Sequence, residues 1–267
     1  MSNIPKIIHY IWVGNQEKPE LIINCIQSWK KFLPDYKIIE WNDSALENIQ
    51  NNYVKEAYRN KKWAFVSDYL RLYALYNYGG IYLDTDCEIT QNIDKFLNLD
   101  FFSCHEFYGE NGIQYPISAL MGAKKENSII KDLFDEYTNL HFETPNGLDL
   151  TTNTTRITNY FKRRFSLNEP YDGMNIINLT DNCIIYPYTH FCKKEDGYDN
   201  FAIHHFNGSW KPAYERKDKF SISKSLLFSR FEKRKDGEYP LDEKEKIIFK
   251  LKVSPKKYYV IIKREFL

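Results

Sequence analysis

No run of apolar residues in this 267-residue chain is long enough to cross a bilayer. A basic-then-apolar leader is also missing, because Met1 runs almost directly into the strand-like KIIHYIW, so a cytoplasmic location is the default expectation. There are only five cysteines (Cys25, Cys87, Cys104, Cys183 and Cys192), odd in number, scattered and without a CxxC pair. That pattern excludes a disulfide framework and a thiolate metal site, and it predicts five small buried apolar side chains. Neither an internal repeat nor a low-complexity linker interrupts the sequence.

Aromatic residues are abundant, with 21 Tyr and 18 Phe making up most of a 16% aromatic share. They suit a strand-rich fold or a site that stacks flat rings such as bases and sugars, and composition leaves both open. The length fits one large α/β domain with an appendage.

The net charge of +1 hides an uneven distribution. Residues 211–267 hold 17 Lys and Arg against 9 Asp and Glu, while residues 1–210 hold 20 against 27. No nucleic-acid-binding signature accompanies the basic tail, so nucleic acid is not expected as a partner. Peripheral contact with an anionic membrane or a lipid-diphosphate acceptor is one reading, and a solvated helical face is the other.

Strands and helices alternate along the chain. Lys6–Trp12, Tyr36–Trp41, Ile81–Leu83, Phe101–His105, Pro116–Ala123, Ile184–Tyr186 and Phe201–His205 read as strands. Glu20–Phe32, Lys62–Tyr78, Asn127–Leu140 and Asn153–Phe165 read as helices. The helix ending at Gly79–Gly80 is apolar nearly all round and is therefore predicted to lie buried. This alternation predicts an α/β fold, a Rossmann-like, mainly parallel sheet with helices on both faces. The boundaries predicted are a main domain over 1–214 and a basic, helical appendage over 215–267.

The chemistry concentrates in WAFVSDYLRLYALYNYGGIYLDTDCEI. A buried strand delivers Asp84-Thr85-Asp86 at its C-terminal end, the edge where open α/β sheets bind ligands. Two carboxylates one residue apart are costly to bury without partners and suit a hard divalent cation that neutralises a diphosphate. The plainer readings are a surface turn or a phosphatase-type nucleophilic Asp pair. On the preceding helix Asp68 and Arg71 share a face and can pair, either to touch a ligand or to tie helix to sheet. Downstream, AIHHFNGSWKP gathers an imidazole, a hydroxyl, an aromatic ring and a cation. An imidazole beside the carboxylates favours Mn²⁺ over Mg²⁺, with His205 preferred to His204 as its bearer.

The blocks IPKIIHYIWVG, SDYLRLYALYNYGGIYLDTD and HHFNGSW together resemble glycosyltransferase family 32, and with it the glucosyltransferase domain of the large clostridial toxins. The resemblance implies a GT-A fold, retention of anomeric configuration and a nucleotide-sugar donor bound with Mn²⁺ or Mg²⁺. It implies that Trp12 stacks on the base, that Asp68 and Arg71 touch the donor sugar, and that Tyr82 and Asp84 contact ribose and sugar. Asp86 is then the direct metal ligand, supported by Asp84, and Ser209 and Trp210 belong to a closing loop. HFNGSWKP is also similar to a glycogenin-type block, which implies a metal-binding His205 and a phosphate-binding Lys211. Where many members carry Gly-Pro, this chain reads Thr-Thr-Asn-Thr-Thr. The residues expected to act in catalysis are thus Asp84, Asp86, Arg71 and Lys211.

A uridine diphosphate hexose is the favoured donor and guanosine diphosphate mannose the alternative. The expected acceptor is a glycan or lipid-linked saccharide of bacterial surface polysaccharide. A rival class is a non-catalytic nucleotide-sugar-binding partner of another transferase. No second carboxylate is marked as a nucleophile, which favours transfer without a covalent enzyme intermediate.

Overall fold

A computed structural model describes residues 3–107, 113–114, 119–167, 173–207, 220–223, 226–232, 245–252 and 257–264. The chain divides into two compact units, Met1–His205 and Phe206–Leu267.

In the first unit β1 (Ile7–Ile11) leads through α1 (Glu20–Phe32) to β2 (Lys37–Trp41). A turn of 3₁₀-helix over Asp43–Asn48 precedes α2 (Asn52–Arg59) and α3 (Trp63–Tyr78). Then come β3 (Gly80–Leu83), β4 (Cys87–Ile89), β5 (Phe101–Cys104), and the short pair β6 (Glu106–Phe107) and β7 (Ile113–Gln114). β8 (Leu120–Ala123), α4 (Ser128–Asp135), the hairpin β9 (Glu143–Thr144) and β10 (Gly147–Leu148), and α5 (Asn153–Phe165) follow. β11 (Ile177–Thr180), β12 (Cys183–Tyr186), α6 (Tyr188–Phe191) and β13 (Ala202–His204) complete it.

Seven strands form the central sheet in the order β11-β12-β5-β8-β3-β1-β2. β1 is parallel to both β2 and β3, and β5 to β12, while β8 and β11 run against their neighbours. The sheet is therefore mainly parallel, and both faces are covered, as the alternating elements predict. On one face Tyr82, Phe101 and Met121 meet buried residues of α2, α3, α4 and α5. On the other, Ile8, Ile81, Leu83 and Phe102 meet Cys25 and Trp29 of α1 and Phe191 of α6. Neighbouring residues such as Ile81 and Tyr82 enter opposite cores because strand side chains alternate.

Local chemistry sets the ends of the elements. Asn51, Asn127 and Thr152 cap α2, α4 and α5 by accepting backbone N–H bonds. α3 stops at Gly79, whose φ of 66° lies in the left-handed region and whose N–H reaches Leu75 O. All five cysteines are buried free thiols.

The second unit departs from expectation. Where helix was expected, its described residues form β14 (Phe220–Ser223), β15 (Leu226–Glu232), β16 (Glu245–Lys252) and β17 (Lys257–Arg264). They form an antiparallel sheet in the order β14-β15-β17-β16. Segments such as EKIIFKLK and KYYVIIKR carry the β-branched and aromatic residues that favour a pleated strand, and this outweighs the helix-forming lysines.

Candidate active site

Because β1, β2 and β3 are parallel, their C-terminal ends open on one edge of the sheet. Trp12 follows β1, Asp43 follows β2, and Asp84 and Asp86 follow β3. At β3 the turn is fixed by two backbone bonds, Asp84 N–H to Ala119 O at 2.7 Å and Cys87 N–H to Asp84 O at 3.0 Å.

The histidine arrives through β13, which pairs antiparallel with β4 so that His204 lies opposite Cys87. One ligand atom from each of Asp84, Asp86 and His204 lies within 4.8 Å of the others. His204 Nε2 is 3.5 Å from Asp86 Oδ1. The imidazole at the carboxylates is thus His204, which corrects the preference for His205. His205 lies one residue further along the strand, its Nε2 3.0 Å from Glu88 Oε2, while its backbone N–H donates to Asp86 O at 3.1 Å. Burial disfavours the His204 imidazolium, but the hydrogen bond and charge of Asp86 outweigh this and lift its pKa to about 10. Two carboxylates and an imidazole are a donor set that fits a divalent cation, and His204 must shed its proton to join it.

Behind this cluster α3 supplies an ionic lock. Arg71 Nη2 lies 3.1 Å from Asp68 Oδ1 and Nη1 lies 3.3 Å from Asp84 Oδ1. Its guanidinium also donates to Ser67 Oγ at 3.1 Å and sits 4.5 Å from the centre of the Tyr82 ring. Tyr82 donates to Asp84 Oδ1 at 2.5 Å. Desolvation works against the Arg71 charge, but Asp84, Tyr82 and Asp68 more than restore it, leaving a fixed cation. Burial raises the Asp68 carboxyl to about 6 despite the opposing pull of Arg71.

Trp12 lines a groove of about 490 Å³ together with Asn15, Gln16, Lys18, Glu40 and Asp43. Its indole Nε1 donates to Gln16 O at 2.7 Å, and Lys18 Nζ lies 5.6 Å from its ring. Asp43 accepts from Gly14 N–H at 3.0 Å and from Tyr58 Oη at 2.5 Å. Gly14 has φ +94°, and a Cβ there would stand 2.7 Å from Trp63 Cε2, so the loop beside Trp12 requires glycine.

Ser209, Trp210 and Lys211 lie outside the described residues. Those described of the other predicted positions gather at one sheet edge: Trp12 in the groove, and Asp68, Arg71, Tyr82, Asp84 and Asp86 in a connected network. Sequence reasoning missed a further polar group. Tyr53 Oη, Tyr137 Oη, both amide atoms of Asn153 and Arg156 Nε are buried with no hydrogen-bond partner among the described residues. Arg156 pairs with Asp149 and, with the Asn153 backbone N–H, favours the Asp68 carboxylate; burial and then that carboxylate's charge raise the Tyr137 phenol. These residues come from two separate helices, α2 and α5, and the turn after α4, and the Thr-Thr-Asn-Thr-Thr capping segment was the signal the sequence offered.

Comparison with known proteins agrees with this site. Residues 19–102 match the glycosyltransferase sugar-binding region containing a DXD motif. An uncharacterized glycosyltransferase of Acanthamoeba polyphaga mimivirus is 25% identical over 234 residues, spanning 84% of this chain and 91% of that one. Inositol phosphoceramide mannosyltransferase 3 of Schizosaccharomyces pombe is 34% identical over 99 residues, 36% of this chain but only 28% of the relative. The solved PaToxG glycosyltransferase superposes with a TM-score of 0.47 at 22% identity, covering 62% of this chain and 71% of that one. A carboxylate pair at the end of a Rossmann-like strand, inside a matched DXD region, makes this chain a glycosyltransferase. The matched DXD region is of the glycosyltransferase family 32 type, and the fold around it is a mainly parallel α/β sheet.

Proposed function

We propose that this protein is a retaining hexosyltransferase that uses a nucleotide sugar, a uridine diphosphate hexose in first place, and a glycan or lipid-linked saccharide acceptor. The observation that carries the reading is the convergence of Asp84, Asp86 and His204 at the sheet edge, with Arg71 bridging Asp84 to Asp68 behind them. Trp12 offers its ring to the base from the neighbouring groove. Asp68 and Arg71 receive sugar hydroxyls, and the resemblance assigns Ser209, Trp210 and Lys211 to the diphosphate. A divalent cation held by the three ligands would supply Lewis-acid neutralisation of the departing diphosphate.

Arg71 has a second role in this reading. By pairing with both Asp68 and Asp84 it lowers the nucleophilicity of each, which fits transfer without a covalent glycosyl-enzyme. Its positive charge also stands ready for the negative charge that builds as the glycosidic bond to phosphate breaks. A second reading takes guanosine diphosphate mannose as donor, and the relatives named inositol phosphoceramide mannosyltransferases support mannose and a lipid-linked acceptor for it. A role in surface polysaccharide synthesis and peripheral contact with an anionic membrane belong to the same proposal. Among the described residues no helix is long and apolar enough to cross a membrane.

The test is hydrolysis of a panel of nucleotide sugars by the full chain with Mn²⁺, with Mg²⁺ and with chelator. Cation-dependent release of one hexose is expected. Donor binding without hydrolysis, even with saccharide acceptors supplied, would transfer the assignment to a non-catalytic binding partner.

A further inference from the structure

The sheet of the second unit has two unlike faces, and its register assigns residues to each. In β16 and β17, Ile247 pairs with Ile262, Lys250 with Val260 and Lys252 with Tyr258. Directly opposed residues share a face. Val260 and Ile262 are fully buried there, with Ile247 and Tyr258 packed against them. A register shift between Ile247 and Phe249 then places Phe249 opposite Ile261, Leu251 opposite Tyr259 and Lys246 opposite Lys263 on the other face.

That second face is open. Phe249 is 53% exposed and Leu251 52%, and Ile248, displaced at the irregularity, is 55% exposed. Lys246 and Lys263, opposed on the same face, are exposed beside them. β16 is also an edge strand, where exposed apolar side chains invite association and are usually avoided.

We propose that this face docks on an anionic lipid surface, with Ile248, Phe249 and Leu251 entering the headgroup–acyl boundary and the lysines meeting the headgroups. The inference rests on the lipid-linked acceptor reading above and names the surface that reaches the bilayer. Charge selects the occupant. Residues 206–267 carry 17 basic against 9 acidic side chains, so a second copy would bring like charge against like charge. Nucleic acid would satisfy the lysines but not the two aliphatic side chains, which offer no ring for stacking. An interfacial lipid layer meets both demands, because apolar insertion and attraction to anionic headgroups act together.

The experiment is co-sedimentation of the full chain with phosphatidylcholine vesicles, with and without phosphatidylserine, at low and high salt. Two variants change exposed positions only: F249T/L251T keeps strand-forming residues, and K246E/K263E reverses charge. Salt-sensitive binding confined to anionic vesicles is expected. The charge variant should weaken it by roughly thirtyfold or more, and the apolar variant should lose binding that survives high salt. Hydrolysis of the nucleotide sugar without vesicles is read separately and should be unchanged in both. Its absence in the parent chain would indict the donor assignment and leave the docking result standing. No binding to anionic vesicles at low salt, or equal binding by parent and both variants, overturns the docking proposal. So does a concentration-dependent dimer that F249T/L251T abolishes.

Discussion

Acid should loosen this protein through His9, a fully buried residue in the strand beside the catalytic one. Its Nε2 lies 2.8 Å from Gly79 O, and Trp41 Nε1 donates to its Nδ1 at 3.1 Å. A carbonyl only accepts and an indole N–H only donates, so the ring must be the neutral Nε2–H tautomer. A second proton would set an N–H on Nδ1 against the indole N–H. Burial first, with Lys37 adding to it and the Gly79 bond opposing, lowers the pKa to about 4. The unfolded ring titrates near 6.5, so between these values the unfolded chain binds the extra proton. The stability this contributes is fully present above pH 6.5 and is lost as pH falls towards 4. At 1.36 kcal/mol per pKa unit the whole effect is about 3 kcal/mol, of which about 2.5 kcal/mol is gone by roughly pH 4.5. H9Q removes the titration while keeping one donor and one acceptor. Urea unfolding from pH 7 down to this point should therefore cost the parent about 2.5 kcal/mol more than H9Q. Parallel pH profiles for the two proteins would refute the argument.

Three further outcomes follow from the site and the core. H204A should weaken Mn²⁺ binding by calorimetry at least about tenfold, the loss seen even for outer partners of a metal, while H205A should change it little. Parent affinity should also rise with pH through neutrality as the His204 proton becomes easier to displace, and a flat profile would remove His204 from the ligand set. W12A should raise the donor dissociation constant at least about tenfold in equilibrium binding while unfolding normally. A collapsed melting transition would make Trp12 a core residue instead. G122A should lower unfolding free energy by about 1–3 kcal/mol, because overpacking follows when a Cβ must fit 2.1 Å from Phe102 Cε1. Unchanged denaturant curves would show that the Phe102 ring yields freely.

Much of the main unit was legible because its signals are local. The span of α5 follows from its Thr152 cap and apolar spacing, and α3 from its greasy length before Gly79–Gly80. The carboxylate pair was legible from its place at a strand end. The choice between His204 and His205 was not, since it depends on which of them lies opposite Cys87 across a strand pair, a one-residue matter of register. Tyr53, Tyr137, Asn153 and Arg156 share no local pattern at all. The second unit misled for a different reason. The register shift in β16 breaks the period-two alternation that marks a strand, and the dense lysines then read as a helical face.

The pairing of β4 with β13 carries a consequence for how the protein comes into being. Both carboxylates lie early in the chain, inside the matched region 19–102, whereas His204 lies near the end of the first unit. During synthesis Asp84 and Asp86 leave the ribosome and can settle on β3 while the strand that bears His204 is still unmade. A chain released too soon would keep the two carboxylates yet lack the third ligand. On the proposed ligand set, a cation would meet all three donors only in a first unit whose beginning and end have met, and its capture would then be a check on completion.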